Sequence, residues 1–371
     1  MLLIRADANK KIGLGHVMRC LTLAEAARKA GIKPVFLLAD DGAEELLKEH
    51  RQAYHILHTD FADMESELPE LFETVSKYVQ KENETVPETV FLLDSYQITE
   101  HYVQELKGWL TKHNIRLALM EDYGNVPYKA DILINYNIYG VDFSYEKNAS
   151  KALLGCRYMP LRQAFIGQEY EVREQVKQLL ITTGGSDSYR IGVQLVSRLL
   201  EKLHPEEKFS EKQVPFIHIV CGKFSESREE LTEMSRKNPN IFVHTDVKEM
   251  WSLMAQCDLA ISAAGTTLYE LCAIGVPTIC FSFADNQILP GTAFAKYTPM
   301  CYAGDYEKDK EAMFATILEK TEEICKIHQS DRRKISCKLK TIVDGKGAER
   351  IIGELFTAYH NSINLLDINC N

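Results

Sequence analysis

Short apolar runs recur along this chain, and stretches with helical periodicity separate them. LLIRAD (2–7) is continuous and apolar but too short for a helix, so it reads as a buried strand. From Val17 to Ala30 apolar residues return at helical spacing, and Gly31 stands where a helix C-cap is expected. PVFLLAD (34–40), TVFLLDS (89–95), IRLALMED (115–122) and DILINYN (131–137) read as four further strands. The charged stretch from Asp63 to Glu88 predicts a surface helix and loop. Strands alternating with helices indicate a parallel sheet covered by helices.

The pattern restarts after a connecting stretch from Arg157 to Glu174. QLLITTGG (178–185), FIHIVCG (216–222), NIFVHTD (240–246), LAISAAG (259–265) and PTICFSF (277–283) read as strands, with TTLYELCAIG (266–275) among the helices between them. Residues 306–340 are charged and helical, and 347–358 form an amphipathic helix. The expected architecture is α/β, with two doubly wound, Rossmann-like domains at residues 1–160 and 161–371. Sheets of this kind bind ligands beyond the carboxyl ends of their strands, where the unusual residues of this sequence fall.

Composition narrows the function classes. Of 371 residues 45% are apolar, enough for two cores, and the net charge is −10. Lys and Arg are not clustered, which argues against a nucleic-acid surface, and an acidic surface is repelled by anionic lipid. The N-terminal MLLIRAD has no long apolar region or small-residue cleavage site, and no run is long enough to span a bilayer. A soluble cytoplasmic protein is expected. Ten cysteines without a C-x-x-C pair, most in apolar strings such as TICFSF, read as buried thiols rather than a metal or disulfide framework.

The sharpest chemical signal is RADANKKIGLGHVMR, from Arg5 to Arg19. A strand ends near Asp7, a loop with Gly13 and Gly15 follows, and a helix starts near His16. The glycines let backbone approach a ligand, and the helix start offers unpaired N–H groups to an anion. Met18 stands where a dinucleotide fingerprint has its third glycine, which disfavours NAD. The helix dipole disfavours an imidazolium at His16, so the ring is expected as a neutral acceptor for a proton from water. Asp7 and Arg19 are candidates to hold it.

In the second half TTGGSDS (182–188) places Gly184, Gly185 and Ser186 after a strand, where backbone N–H groups cradle phosphate. ISAAGTTLYEL runs a strand into Gly265, Thr266 and Thr267 at a helix start. Glu270, one turn in, is placed to accept ribose hydroxyls. Asn286 and Gln287, in FSFADNQ, offer amide donors and acceptors to sugar and phosphate. Tyr96 follows a strand end in LLDSY. Each motif alone also serves as a turn, cap or packing residue.

The combination of IRAD-x-x-x-x-IGLGHVMR, LLDSY, MEDYGN, ILINYN, TTGGSD and ISAAGTTLYEL…ADNQ resembles the UDP-sugar hydrolase of pseudaminic acid biosynthesis. That family is related to the peptidoglycan GlcNAc transferase and to spore coat polysaccharide glycosyltransferase-like proteins. The resemblance runs from Leu2 to about Gln287. It implies a GT-B fold with an interdomain cleft and the substrate UDP-2,4-diacetamido-2,4,6-trideoxy-β-L-altropyranose. It also implies a catalytic His16, roles for Tyr96 and Asn286, and Glu270 as the nucleotide-binding acid. UDP is expected on the second domain with its sugar reaching toward His16. No D-x-D motif stands at a phosphate-binding position, and neither a metal nor another cofactor is required. A GT-B transferase passing a UDP-amino sugar to a surface polysaccharide is the alternative. A UDP-sugar 2-epimerase and a non-catalytic nucleotide-sugar binder remain open.

Overall fold

The computed structural model describes residues 1–9, 11–80, 88–124, 126–184, 187, 189–203, 215–222 and 225–356. They form two compact units, one of Met1–Arg162 with the chain from Lys346 onward, the other of Gln163–Gly345.

The first unit runs β1 (Leu2–Ala6), α1 (Gly15–Lys29), β2 (Pro34–Leu38), α2 (Glu44–Glu49), β3 (Ala53–Ile56), α3 (Met64–Gln80), β4 (Val90–Asp94), α4 (Glu100–Lys112), β5 (Arg116–Met120), β6 (Ala130–Asn135) and β7 (Ala149–Leu154). Its seven strands lie in the order β3-β2-β1-β4-β5-β6-β7, every pair parallel. Helices cover both faces, which is why the central strands are apolar without alternation. One face of the sheet, with Leu3, Leu37, Phe91 and Leu119, packs on Leu71 and Val75 of α3 and Val103, Leu106 and Leu110 of α4. As expected from Asp63 onward, α3 is a surface helix with Glu65, Glu73 and Lys77 exposed; its inner face joins the core, and there Glu67 is wholly buried. Part of the expected loop, 81–87, lies outside the described residues.

The second unit runs β8 (Gln178–Thr182), α5 (Ile191–Leu203), β9 (Phe216–Cys221), α6 (Arg228–Lys237), β10 (Ile241–Thr245), α7 (Met250–Ala255), β11 (Leu259–Ala263), α8 (Thr267–Ile274), β12 (Thr278–Ser282), α9 (Asp285–Tyr297), β13 (Cys301–Asp305), α10 (Tyr306–Lys326) and α11 (Gln329–Lys340). Six parallel strands take the order β10-β9-β8-β11-β12-β13. Leu179, Ile181, Ile219, Ile261 and Phe281 pack on Leu195 and Leu199 of α5 and on Phe314 and Ile317 of α10. Gly275 ends α8 at φ +91°. A Cβ there would also stand 2.6 Å from Ser336 Oγ of α11, so glycine is required both by the left-handed turn and by the close approach.

The last described helix, α12 (Gly347–Leu355), returns to the first unit. Its Ile351, Ile352 and Leu355 are buried, and it packs on α1. A Cβ on Gly347 would meet Met159 O at 2.1 Å. This corrects the expected division in which everything after residue 160 belongs to the second domain: α12 buries its apolar stripe against the first. Of the thiols, Cys20, Cys221, Cys257, Cys272 and Cys280 are buried, Cys156 and Cys301 half-buried, and Cys325 and Cys337 exposed, while Cys370 lies outside the described residues. Among the described residues no helix is long and apolar enough to cross a membrane.

Candidate active site

The strand order of the first unit reverses between β1 and β4, which run side by side with Ala6 opposite Asp94. The loops leaving these two strands therefore open together at the carboxyl edge of the sheet, the usual ligand position in such folds. The loop after β1 is folded on Asn9. Its side-chain oxygen accepts the N–H groups of Lys11 (2.9 Å) and Ile12 (3.2 Å), and its carbonyl accepts that of Gly13 (2.8 Å). Gly13 takes φ +74°, which a side chain would resist, and the chain enters α1 at Gly15. His16 thereby sits in the first turn of α1, buried but for 8% of its surface.

The ring of His16 is held by Asp94 at the end of β4, with Nδ1 2.7 Å from Oδ1. An Nδ1–H donated to that carboxylate leaves Nε2 with the lone pair, the tautomer a general base needs. Asp94 is itself 99% enclosed, with a side-chain exposure of 1%. Burial alone would raise its pKa, but the Arg19 guanidinium and the His16 ring outweigh burial and hold it well below the usual carboxylate range.

Arg19, one turn further along α1, bridges two carboxylates. Its Nε and Nη2 donate to Asp94 at 2.6 and 2.5 Å, and its Nη1 donates to Asp122 at 2.9 Å and to Tyr136 Oη at 2.8 Å. Burial would lower its pKa, yet Asp122 and Asp94 together hold it well above the ordinary value. The guanidinium is thus committed within the unit rather than presented to a ligand. Asp122, just beyond β5, also accepts Tyr96 Oη at 2.6 Å and Asn137 Nδ2 at 2.7 Å. The Tyr96 ring is 47% exposed, but its hydroxyl turns inward, and its edge meets the His16 ring at 4.4 Å between centroids. Burial at that hydroxyl, and then the Asp122 charge, push the Tyr96 pKa well above the usual phenol value. Tyr123 stands beside it, 57% exposed, with ring centroids 5.2 Å apart.

His16, Tyr96 and Arg19 are therefore brought together from the residues singled out in the sequence. Asp7 points elsewhere. Its Oδ2 takes Arg5 Nη1 at 2.5 Å and its Oδ1 takes the Ala39 N–H at 2.8 Å. The partner of His16 is Asp94, and Asp7 belongs to a buried network with Arg5, Glu67 and Tyr102. Sequence reading left Asp94, Asp122, Tyr136 and Asn137 without roles. The available signal was a carboxylate or amide at the end of each apolar run, in VFLLD, LALMED and ILINYN.

In the second unit the strand order reverses between β8 and β11. The loop after β8 carries Gly184 at φ +87°; Gly185 and Ser186 lie outside the described residues. The loop after β11 carries Gly265, where a Cβ would meet no atom within 4 Å, and leads through the exposed Thr266 to Thr267, the first residue of α8. Glu270 is half-buried in the first turn of α8. Asn286 and Gln287 open α9 after the neighbouring β12; Asn286 is exposed, and Gln287 Oε1 accepts the Phe283 N–H at 3.0 Å. The described candidates of this half thus lie after the carboxyl ends of three adjacent strands, β8, β11 and β12. Among the described residues no group of three or more His, Cys, Asp or Glu side chains could hold a metal ion.

A chain of two parallel α/β units with these switch points matches solved structures over nearly its full length. Acinetobacter baumannii MurG aligns with a TM-score of 0.66 at 13% identity, covering 95% of this chain and 99% of that one. The fold is GT-B. Within the GT-B chain, residues 179–345 match the glycosyltransferase family 28 C-terminal domain. The spore coat polysaccharide biosynthesis protein SpsG of Bacillus subtilis is 25% identical over 369 residues, 97% of this chain and 99% of that protein. The UDP-2,4-diacetamido-2,4,6-trideoxy-β-L-altropyranose hydrolase of Campylobacter jejuni is 22% identical, covering 79% of this chain and 96% of that protein. A Helicobacter pylori protein named for that hydrolase and for pseudaminic acid cytidylyltransferase is 25% identical over 78% of this chain, which spans 46% of its length.

Proposed function

We propose that this GT-B protein hydrolyses a UDP-activated diacetamido-trideoxy sugar, releasing UDP and the free sugar in a cytoplasmic step of pseudaminic (nonulosonic) acid biosynthesis. The observation that carries the reading is the His16–Asp94 pair at the switch point of the first sheet, with Nδ1 2.7 Å from the carboxylate. A ring oriented in this way presents Nε2 as a base. Two relatives named as hydrolases of UDP-2,4-diacetamido-2,4,6-trideoxy-β-L-altropyranose support that sugar as the substrate.

In the proposed reaction a water molecule gives its proton to His16 Nε2 as its oxygen bonds to the anomeric carbon. The C–O bond to the diphosphate breaks, its electron pair stays on the phosphate oxygen, and attack from the face opposite UDP inverts the anomeric centre. Asp94 is placed to stabilise the imidazolium that forms, and Tyr96 forms one wall beside the ring. The loops at Gly184–Ser186 and Gly265–Thr267 are assigned to the diphosphate, where preorganised N–H donors are worth a few kcal/mol each, roughly, as charge develops on the leaving group. Glu270 is assigned to ribose, and Asn286 and Gln287 to sugar and phosphate oxygens.

Transfer to a saccharide or lipid acceptor is the second reading, favoured by the family 28 match over residues 179–345. The two separate in one experiment. With the UDP-diacetamido sugar in buffer and no acceptor, NMR is expected to show UDP and free sugar appearing in equal amounts, the first-formed anomer opposite in configuration to the bound one. UDP release that waits for an added acceptor would assign transfer instead.

A further inference from the structure

We infer that Asp122 is a positioning residue that sets the charge available to His16, although it does not hold the ring itself. The inference rests on the reading of His16 as the base. Arg19 lies between Asp94 and Asp122, donating through Nε and Nη2 to the first and through Nη1 to the second. With a neutral ring, two carboxylates and one guanidinium leave one unbalanced negative charge. That charge is cancelled when the ring takes a proton. Because Asp122 offsets Arg19, the Asp94 carboxylate is left to the imidazolium. Without Asp122, Arg19 and Asp94 neutralise one another before any proton moves, and the base loses its counter-charge.

The geometry makes Asp122 well suited to this task. Its two oxygens are fixed by three donors from separate elements: Arg19 of α1 at 2.9 Å, Tyr96 Oη after β4 at 2.6 Å and Asn137 Nδ2 after β6 at 2.7 Å. Its main-chain carbonyl accepts Tyr139 Oη at 3.0 Å. The same carboxylate thereby ties down Tyr96, whose ring edge lies on His16. The other titratable groups around the ring have their own partners or lack charge. From α1, Cys20 donates its thiol to Asp94 Oδ2 at 3.4 Å; after β6, Tyr136 accepts from Arg19; after β5, Tyr123 packs on Tyr96; at the end of β1, Asp7 is paired with Arg5. Glu121, just beyond β5, is buried and accepts the Gly124 N–H and the Tyr145 hydroxyl. Among the described residues Asp94 and Asp122 are thus the two carboxylates that Arg19 bridges.

The test is an NMR titration of the His16 ring in the whole chain carrying labelled histidine, the signal assigned by its loss in His16→Gln. In Asp122→Asn, which keeps the size and one acceptor oxygen, the midpoint is expected to fall by about one pH unit, and Asp122→Glu is expected to restore it toward the native value. The acid limb of the kcat/KM profile should move down with the midpoint. A midpoint unmoved or raised in Asp122→Asn overturns the inference. Should that variant not fold, Tyr96→Phe reads the same balance. Losing the phenol donor concentrates the Asp122 charge on Arg19, so the midpoint should rise, and a fall or no change overturns the inference. The titration needs no turnover. An active His16→Ala would therefore remove the base reading without touching this result, and an unmoved midpoint would remove Asp122 without touching the base.

Discussion

His16→Ala is expected to lower kcat by at least about a hundredfold, the usual contribution of a positioned general base. Among the described residues, the groups next to the ring are already engaged. Asp94 is 1% exposed and locked on Arg19, Asp122 is occupied by Arg19, Tyr96 and Asn137, and Tyr96 spends its hydroxyl on Asp122. Under the proposed reaction the diphosphate contacts lie on the second unit, so UDP affinity should change little. The measurement is UDP release at saturating substrate, alongside UDP binding by calorimetry and the thermal midpoint. Native turnover from a folded His16→Ala would take the ring out of the chemistry. Loss of UDP binding would move His16 from base to ligand.

Glu67→Ala is expected to cost about 3–5 kcal/mol of stability, the range for removing one partner of a buried ion pair. Arg5 is fully enclosed on β1 and donates to Glu67 through Nε at 2.9 Å and Nη2 at 2.7 Å. Tyr102 Oη on α4 donates to the same carboxylate at 2.7 Å. Deprotonation cannot relieve the orphaned guanidinium. Burial does lower its pKa, but Asp7 and Glu67 drive the net value well above that of an ordinary arginine. With Glu67 gone, Asp7 alone remains within reach at 2.5 Å, and two donors plus a phenol are left buried without acceptors. Urea unfolding followed by circular dichroism measures the loss; a change below about 1 kcal/mol would mean that water or Asp7 replaces the missing carboxylate.

The central strands were legible because a parallel strand covered on both faces is apolar at every position, as in Leu2–Ile4 and Val90–Leu93. The outer strands β3, β7 and β13 were not. AYHI, ASKALL and CYAGD are half-buried or exposed at many positions, so their polar residues dilute the pattern. The burial of Glu67 on α3 was illegible for a related reason: a carboxylate in a helix looks solvated unless its partner, 62 residues away, is known. His16 was legible from local chemistry, a glycine loop opening a helix. Its partner was not, since Asp94 lies 78 residues downstream and competes on paper with Asp7. Arg19 drew attention as a candidate to hold the His16 ring. Only the contacts with Asp94 and Asp122 reveal that its charge is already consumed.

The return of α12 makes the second unit an insertion within the first rather than a partner appended to it. Both severed ends are already adjacent. Ile166 lies within 2.5 Å of a Cβ on Gly345, and Met159 within 2.1 Å of a Cβ on Gly347. The 163–345 segment can accordingly be excised as one continuous piece, with Arg162 spliced to Lys346 by a short linker to close what remains. A fragment stopped at Arg162 would instead bare the side of α1 that α12 covers, and it is the wrong half-molecule to express.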